Sequence, residues 1–217
     1  MAAEKGVKLL DYWVSPFGQR CRIALAEKGI EYEHKEENLG DKSDLLLKSN
    51  PIYKKIPVLL HDGNPISESL IIVQYIDETW PGESPFLPSD PYARAQARFW
   101  ADFIDKKVYE CSKRVFSLKG EAQEEAKKEF IGFLKTVEAE LGEKKYFGGD
   151  TLGFVDISLV PFTSWFYTYE AIAGISVEAE CAKLAAWAKR CSERDSVARA
   201  LQDPKKICDV VKSIFVV

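Results

Sequence analysis

Asp11-Tyr12-Trp13-Val14-Ser15-Pro16-Phe17-Gly18-Gln19-Arg20-Cys21-Arg22-Ile23-Ala24-Leu25 reads as a strand running into a helix. Val7, Leu9 and Tyr12 stand just before the break. Ser15-Pro16 has the chemistry of a helix start, with a hydroxyl at the N-cap and proline at the first helical position, where a missing N–H costs nothing. Cys21, Ile23, Ala24 and Leu25 continue the helix, and Gly29 is a stop signal. One hydroxyl therefore sits where free N–H groups and the positive end of a helix dipole point outward, a place that suits an anion. Taken alone, Ser15 also admits a plainer reading, as a cap and nothing more.

Working outward, residues 7–12 are the expected first strand and 15–28 the first helix. Ile30, Tyr32 and His34 alternate in a second short strand. Residues 36–50 are polar and irregular, with a turn of helix at Leu45-Leu46-Leu47, and Asn50-Pro51 signals a turn. Ile56-Pro57-Val58-Leu59-Leu60 is an apolar strand, and Asp62-Gly63-Asn64 punctuates a hairpin into a strand beginning at Ile66. Ser67-Glu68-Ser69 then caps a helix over 70–80. Strand, helix, strand, loop, hairpin, helix is the mixed-sheet pattern of a thioredoxin-like domain.

Residues 81–90 hold three of the prolines among polar residues, and after them the strand signals stop. Asp90-Pro91 starts a long helix that runs on through Phe116, and 121–141 forms another, with Ala126, Phe130, Phe133, Leu134, Val137 and Leu141 on one stripe. Helices near 154–168, 179–192, 195–201 and 204–213 follow. The expected class is α/β plus all-α. A thioredoxin-like domain over 1–81, with a mixed four-stranded sheet, is followed by a linker at 82–90 and a helical bundle over 91–217.

The 217 residues are 46% hydrophobic and 29% charged, ordinary for a globular protein. A net charge of −4 excludes the basic stripe of a nucleic-acid binder. The apolar stretch 157–175 is interrupted by Pro161, Thr163, Ser164, Thr168 and Glu170, so it reads as a buried helix and the turn after it rather than a membrane span. Five widely spaced cysteines with no Cys-x-x-Cys point to free thiols in a reducing compartment. Residues 1–6 do not read as a secretory leader, nor Ser-Ile-Phe-Val-Val at the end as a lipidation or peroxisomal signal, so the cytosol is expected. Only His34 and His61 exist, and neither sits at metal-ligand or triad spacing. No metal is expected.

Ser15-Pro16-Phe17 after a first strand, Ile56-Pro57-Val58, and Ser67-Glu68-Ser69-Leu70, with an all-helical half following, resemble the cytosolic glutathione transferases. The likeness covers essentially the whole chain. Asn50-Pro51-x-x-Lys54-Lys55-Ile56-Pro57-Val58-Leu59, Asp77-Glu78-Thr79-Trp80 and Gly153-Phe154-Val155-Asp156-Ile157 resemble the plant tau class in particular.

The resemblance implies glutathione as co-substrate, conjugated to hydrophobic electrophiles in detoxification, with glutathione-dependent peroxide reduction as an added activity. It implies that Ser15 donates to the sulfur and that the bond before Pro57 is cis, with the Ile56 backbone pairing with the tripeptide as an added strand. It implies that Glu68 and Ser69 take the γ-glutamyl group and that Lys42 and Lys55 face the glycyl carboxylate. A free thiol ionises near a pKa of about 8.5. Lowering that by about two units requires a preference of about 2.7 kcal/mol for the thiolate. A hydrogen bond to a charged acceptor supplies roughly 1.5–3 kcal/mol and a helix end roughly 0.3–1. That suffices without a histidine base. Each residue keeps a plainer reading beside this one: Ile-Pro-Val as a strand start, Ser67 or Ser69 as a cap, the lysines as solvated surface.

An electrophile site must be apolar, because thiolate attack gains from a dry setting. Tyr109, Lys113 and Phe116 share one helical face, Trp165 and Tyr169 another, and Phe17 and Phe215 are further candidates. Such stripes serve equally as core. Asp156 resembles a capping-box acid and reads as a folding residue, with Gly153 at the cap. The resemblance also implies a twofold homodimer, the N-terminal half of one subunit against the helical half of the other, through the helix ending at Trp80 and the one holding Arg94 and Arg98.

Two alternatives remain at this stage. A thiol transferase or dehydroascorbate reductase needs a nucleophilic sulfur where Ser15 stands, with Gly18 in the place of a resolving cysteine. A non-catalytic carrier of flat hydrophobic metabolites would bind ligands tightly without conjugating them.

Overall fold

The computed structural model describes residues 5–82 and 84–215. Most of the stretch read for a leader, Glu83 of the linker and the last two valines lie outside the described residues. The chain divides into two compact units, Met1–Pro85 and Phe86–Val217.

The first unit runs β1 (Val7–Asp11), α1 (Pro16–Glu27), β2 (Glu33–Glu36), α2 (Asp44–Ser49), β3 (Val58–His61), β4 (Asn64–Ser67) and α3 (Ser69–Thr79). The sheet order is β2-β1-β3-β4, with β1 parallel to β2 and antiparallel to β3, and β3 antiparallel to β4. Val58, Leu59 and Leu60 are all buried, as a central strand covered on both faces requires. Leu10, Val58 and Leu60 pack on Leu46 of α2. Asp62 and Gly63 both have positive φ, 49° and 80°, which is the turn a two-residue hairpin needs.

The second strand differs from the sequence expectation. It spans Glu33–Glu36, in register from Lys8↔Glu33 to Asp11↔Glu36, not residues 30–34. Ile30 is still engaged by the helix, its N–H donating to Leu25 O at 2.9 Å. β2 is an edge strand, where charged residues guard the open side, so apolar alternation was a poor guide to it. The third helix starts one residue early, at Ser69, and its cap is Glu68 with no side-chain bond, rather than a serine hydroxyl.

The second unit is helical: α4 (Pro91–Phe103), a π-helical turn (Ile104–Tyr109), α5 (Glu110–Ser117), α6 (Gly120–Leu141), α7 (Phe154–Leu159), a 3-10 stretch (Val160–Trp165), α8 (Phe166–Ala173), α9 (Val177–Glu180), α10 (Ala182–Ser192), α11 (Asp195–Ala200) and α12 (Pro204–Phe215). Asp90 caps α4, accepting from Ala93 N at 2.7 Å. α4, the π-helical turn and α5 run on without a break, so the single long helix expected from Pro91 through Phe116 is present, with a wide π-helical turn inside it. The one expected near 154–168 is helical throughout and tightens to 3-10 geometry over Val160–Trp165, where Pro161 has no N–H to donate. Phe86 and Leu87, read as linker, are buried, and Phe86 O accepts from Phe154 N at 2.9 Å.

Asp156 is fully buried and accepts four N–H groups: Phe147 N at 2.9 Å, Gly148 N at 3.0 Å, Gly153 N at 2.9 Å and Trp187 Nε1 at 2.7 Å. Burial pushes its carboxyl up, against the downward pull of these donors.

Candidate functional site

At the start of α1, Ser15 is the N-cap and Pro16 the first helical residue. Ser15 Oγ accepts from Gly18 N at 3.2 Å, and the residue is only 7% exposed. The loop that carries it is tied down by Ser15 N donating to Tyr12 O at 2.8 Å and Trp13 N donating to Glu36 Oε1 at 2.9 Å. Beneath the first turn lies Asp11, fully buried. A Cβ on Gly18 would fall 1.6 Å from Asp11 Oδ1, so only glycine fits there.

Ile56 is half-buried, Pro57 is buried, and the bond between them is cis, as the resemblance implied. The preceding loop is organised by Asn50, which is buried. Its Nδ2 donates to Lys55 O at 3.0 Å, and its Oδ1 accepts from Tyr53 N at 3.2 Å. Lys42 and Lys55 are exposed. Next to Lys42, buried Glu37 holds the start of α2, accepting from Ser43 Oγ at 2.7 Å and Ser43 N at 3.2 Å.

Glu68 is exposed with φ 73°, left-handed backbone that a side chain adopts at a cost of about 1–3 kcal/mol. The first-turn N–H groups of α3 therefore have no side-chain cap. Ser69 is 6% exposed and its Oγ accepts from Arg20 Nη1 at 3.2 Å. The Arg20 guanidinium also lies 5.1 Å from the centre of the half-buried Phe17 ring. Arg20 thus links α1 to the start of α3. Sequence reading singled out neither Arg20 nor Asn50 for these roles, because their partners lie far away in the chain or in a loop whose path was not known.

In the second unit, Tyr109, Phe116, Trp165, Tyr169 and Phe215 come together. Ring centres are 6.4 Å apart for Tyr109–Trp165, 5.9 Å for Phe116–Trp165, 5.1 Å for the stacked pair Phe116–Tyr169 and 6.2 Å for Phe116–Phe215. Phe162 joins them, 5.6 Å from Tyr109. Lys113 lies 5.1 Å over the Tyr109 ring and pairs with Glu110. Trp165 Nε1 and Thr168 Oγ1 are buried without a hydrogen-bond partner among the described residues.

Cys21 is wholly buried, and its thiol reaches Phe17 O at 3.7 Å. Burial holds it well above the ordinary thiol range, with the Asp11 charge adding to the rise. Cys21 lies further along the helix than the tip, where disulfide exchange would need its sulfur and Ser15 stands instead. Among the described residues no cluster of three or more His, Cys, Asp or Glu side chains is placed to hold a metal ion.

Residues 5–78 match the family model of the glutathione S-transferase N-terminal domain, and residues 100–195 that of the C-terminal domain. The chain is 65% identical to the probable glutathione S-transferase parA of Nicotiana tabacum over 93% of this chain and 91% of that protein. It is 58% identical to glutathione S-transferase U19 of Arabidopsis thaliana over 96% of this chain and 95% of that protein. Rice GST1 (OsGSTU1), solved in complex with glutathione, superposes with a TM-score of 0.93 at 56% identity, covering 97% of this chain and 96% of that one. The mango (Mangifera indica) tau class enzyme MiGSTU superposes at 0.92 with 43% identity, over 96% and 98%. With both domain models matched and relatives this similar over nearly its whole length, the chain belongs to the glutathione S-transferase family, in its tau class.

Proposed function

We propose that this transferase stabilises the glutathione thiolate with the Ser15 hydroxyl and delivers it to hydrophobic electrophiles. The observation that carries the reading is the bonding of Ser15. Its oxygen accepts from Gly18 N, so the hydroxyl proton is left to donate to a ligand sulfur at the end of α1. The helix dipole adds in the same sense. Ser15 acts as donor and not as nucleophile. The bare first turn of α3, with Glu68 and Ser69 beside it, suits the γ-glutamyl carboxylate and ammonium. The Ile56 backbone ahead of β3 suits the cysteinyl amide, and Lys42 and Lys55 the glycyl carboxylate.

In this reading the aromatic cluster of Tyr109, Phe116, Trp165, Tyr169 and Phe215, with Lys113, serves the electrophile, and Phe17 borders the sulfur. Rate comes from holding an ionised sulfur against a bound electrophile. Hydroperoxides are a second class of acceptor for the same thiolate. The reading includes a twofold homodimer and a cytosolic location, the latter suited to five free thiols.

Ser15→Ala tests it. With chlorodinitrobenzene as electrophile, turnover falls by about 10- to 100-fold while glutathione affinity changes little. An unchanged rate removes Ser15 from the mechanism. Tight binding of aromatic ligands with no conjugation across a panel of electrophiles and hydroperoxides would favour a carrier instead.

A further inference from the structure

Arg22 lies on α1 seven residues past Ser15, and its guanidinium makes two contacts of different kinds. Nη2 donates to Trp13 O at 2.8 Å, in the loop between β1 and α1. Nε lies 3.3 Å from Oδ2 of Asp11, the last residue of β1. Both partners precede Ser15. One side chain from within the helix therefore grips the loop on the far side of the serine. The other backbone group of Trp13 is held as well, by Glu36. A guanidinium can serve two such partners because its donors form a fixed fork, whereas an ammonium is a single point charge.

The second contact concerns charge. The Asp11 carboxylate is fully buried against Gly18, whose N–H caps Ser15 Oγ. Neither Asp11 oxygen receives a well-formed hydrogen bond among the described residues, so charge alone offsets its burial. A carboxylate in that place opposes a second negative charge at the helix tip. The opposing cation is Arg22, only 11% exposed, with His34 Nε2 on β2 at 3.6 Å. Burial pushes both the Cys21 thiol and the Tyr32 phenol up; the Asp11 charge adds to each rise and Arg22 opposes it.

We propose that Arg22 is a positioning residue of the thiolate site. It clamps the Trp13–Ser15 loop and cancels the Asp11 charge beneath the first turn of α1. The Ser15 hydroxyl and the helix end then act on the sulfur unopposed. This rests on the reading of Ser15 given above.

The test uses the full chain with Arg22→Gln, Arg22→Lys and Ser15→Ala in separate variants. For each, kcat and KM for glutathione are measured against pH with chlorodinitrobenzene, and the bound thiolate is titrated by its ultraviolet absorbance. Arg22→Gln moves the thiolate midpoint up by about one pH unit and lowers kcat about tenfold near neutrality, with KM within about twofold of the parent. Arg22→Lys returns the midpoint toward the parent value but leaves kcat low, because the charge comes back without the clamp. A folded Arg22→Gln protein with the parental midpoint and kcat overturns the proposal. If Arg22→Gln does not fold, Arg22→Lys decides: a parental midpoint with lowered kcat supports the proposal, and parental values of both overturn it. Impaired Ser15→Ala beside parental Arg22 variants sinks this inference alone, whereas a parental midpoint in Ser15→Ala sinks the Ser15 reading and this inference together.

Discussion

Each of the five cysteine thiols is buried, and burial governs what it can do. Desolvation raises Cys111 and Cys181 to about 11, helped in one case by Glu129 and in the other by Glu138, and holds Cys21 higher than its usual range. Raised thiol values mean less thiolate at neutral pH, and the thiolate is the form that reacts. At Cys21, Cys111 and Cys181 native protein is therefore expected to take up a thiol-specific reagent slowly at pH 8, and at Cys111 and Cys181 the rate, followed by peptide mapping, should keep climbing toward pH 11 instead of levelling near 8.5. Unfolded protein takes up five equivalents at once. Fast labelling of these three thiols in the native chain near neutrality would refute this. At the same scale Ser15 was legible as a helix cap, because Ser-Pro before an apolar run is a local helix-start signal. Arg22 and Asn50 were not: a guanidinium and an amide look like any polar side chain until the loops they hold are in place.

Asp156 shows one side chain holding several elements. It joins the N-terminus of α7, the 147–148 turn and Trp187 of α10. Asp156→Ala strands four donors, three of them backbone N–H groups, in a buried place. The expected loss is about 3–5 kcal/mol, or a fall in melting temperature of about 10 °C. Conjugation by the fraction that stays folded should be near normal, and unchanged melting with lost kinetics would contradict a folding role. The π-helical turn Ile104–Tyr109 lies within the long helix expected from Pro91 through Phe116. Hydrophobic spacing before and after it is helical, but a wide turn resets the phase between them. Tyr109, Lys113 and Phe116 all come at or after the reset, so their shared face survived it.

At the scale of the molecule, several large apolar side chains remain exposed. The first unit shows Ile52 at 82%, Tyr53 at 59% and Ile71 at 54%, and the second shows Tyr92 at 73% and Phe99 at 54%. Exposed apolar side chains are where an association surface would be sought. Under the proposed homodimer, sedimentation equilibrium should give about 49 kDa, twice the 24.5 kDa chain. Tyr53→Asp should shift the equilibrium toward the single chain, with secondary structure intact. A parent protein that sediments as one chain at micromolar concentration would end the dimer reading.

By itself the sequence determined the order of elements, the change from a mixed sheet to helices near residue 85, and the serine at the helix tip. Helix starts, turns and apolar periods are local in the chain, and so is their physics. Only the tertiary structure decided where the edge strand pairs, that Glu68 rather than a serine caps α3, and which buried partners hold the Ser15 loop. Those outcomes depend on groups that meet only after the chain has folded. Arg22 with Trp13 and Asp11, Arg20 with Ser69, and Asp156 with Trp187 are such meetings, and no spacing along the chain announces them.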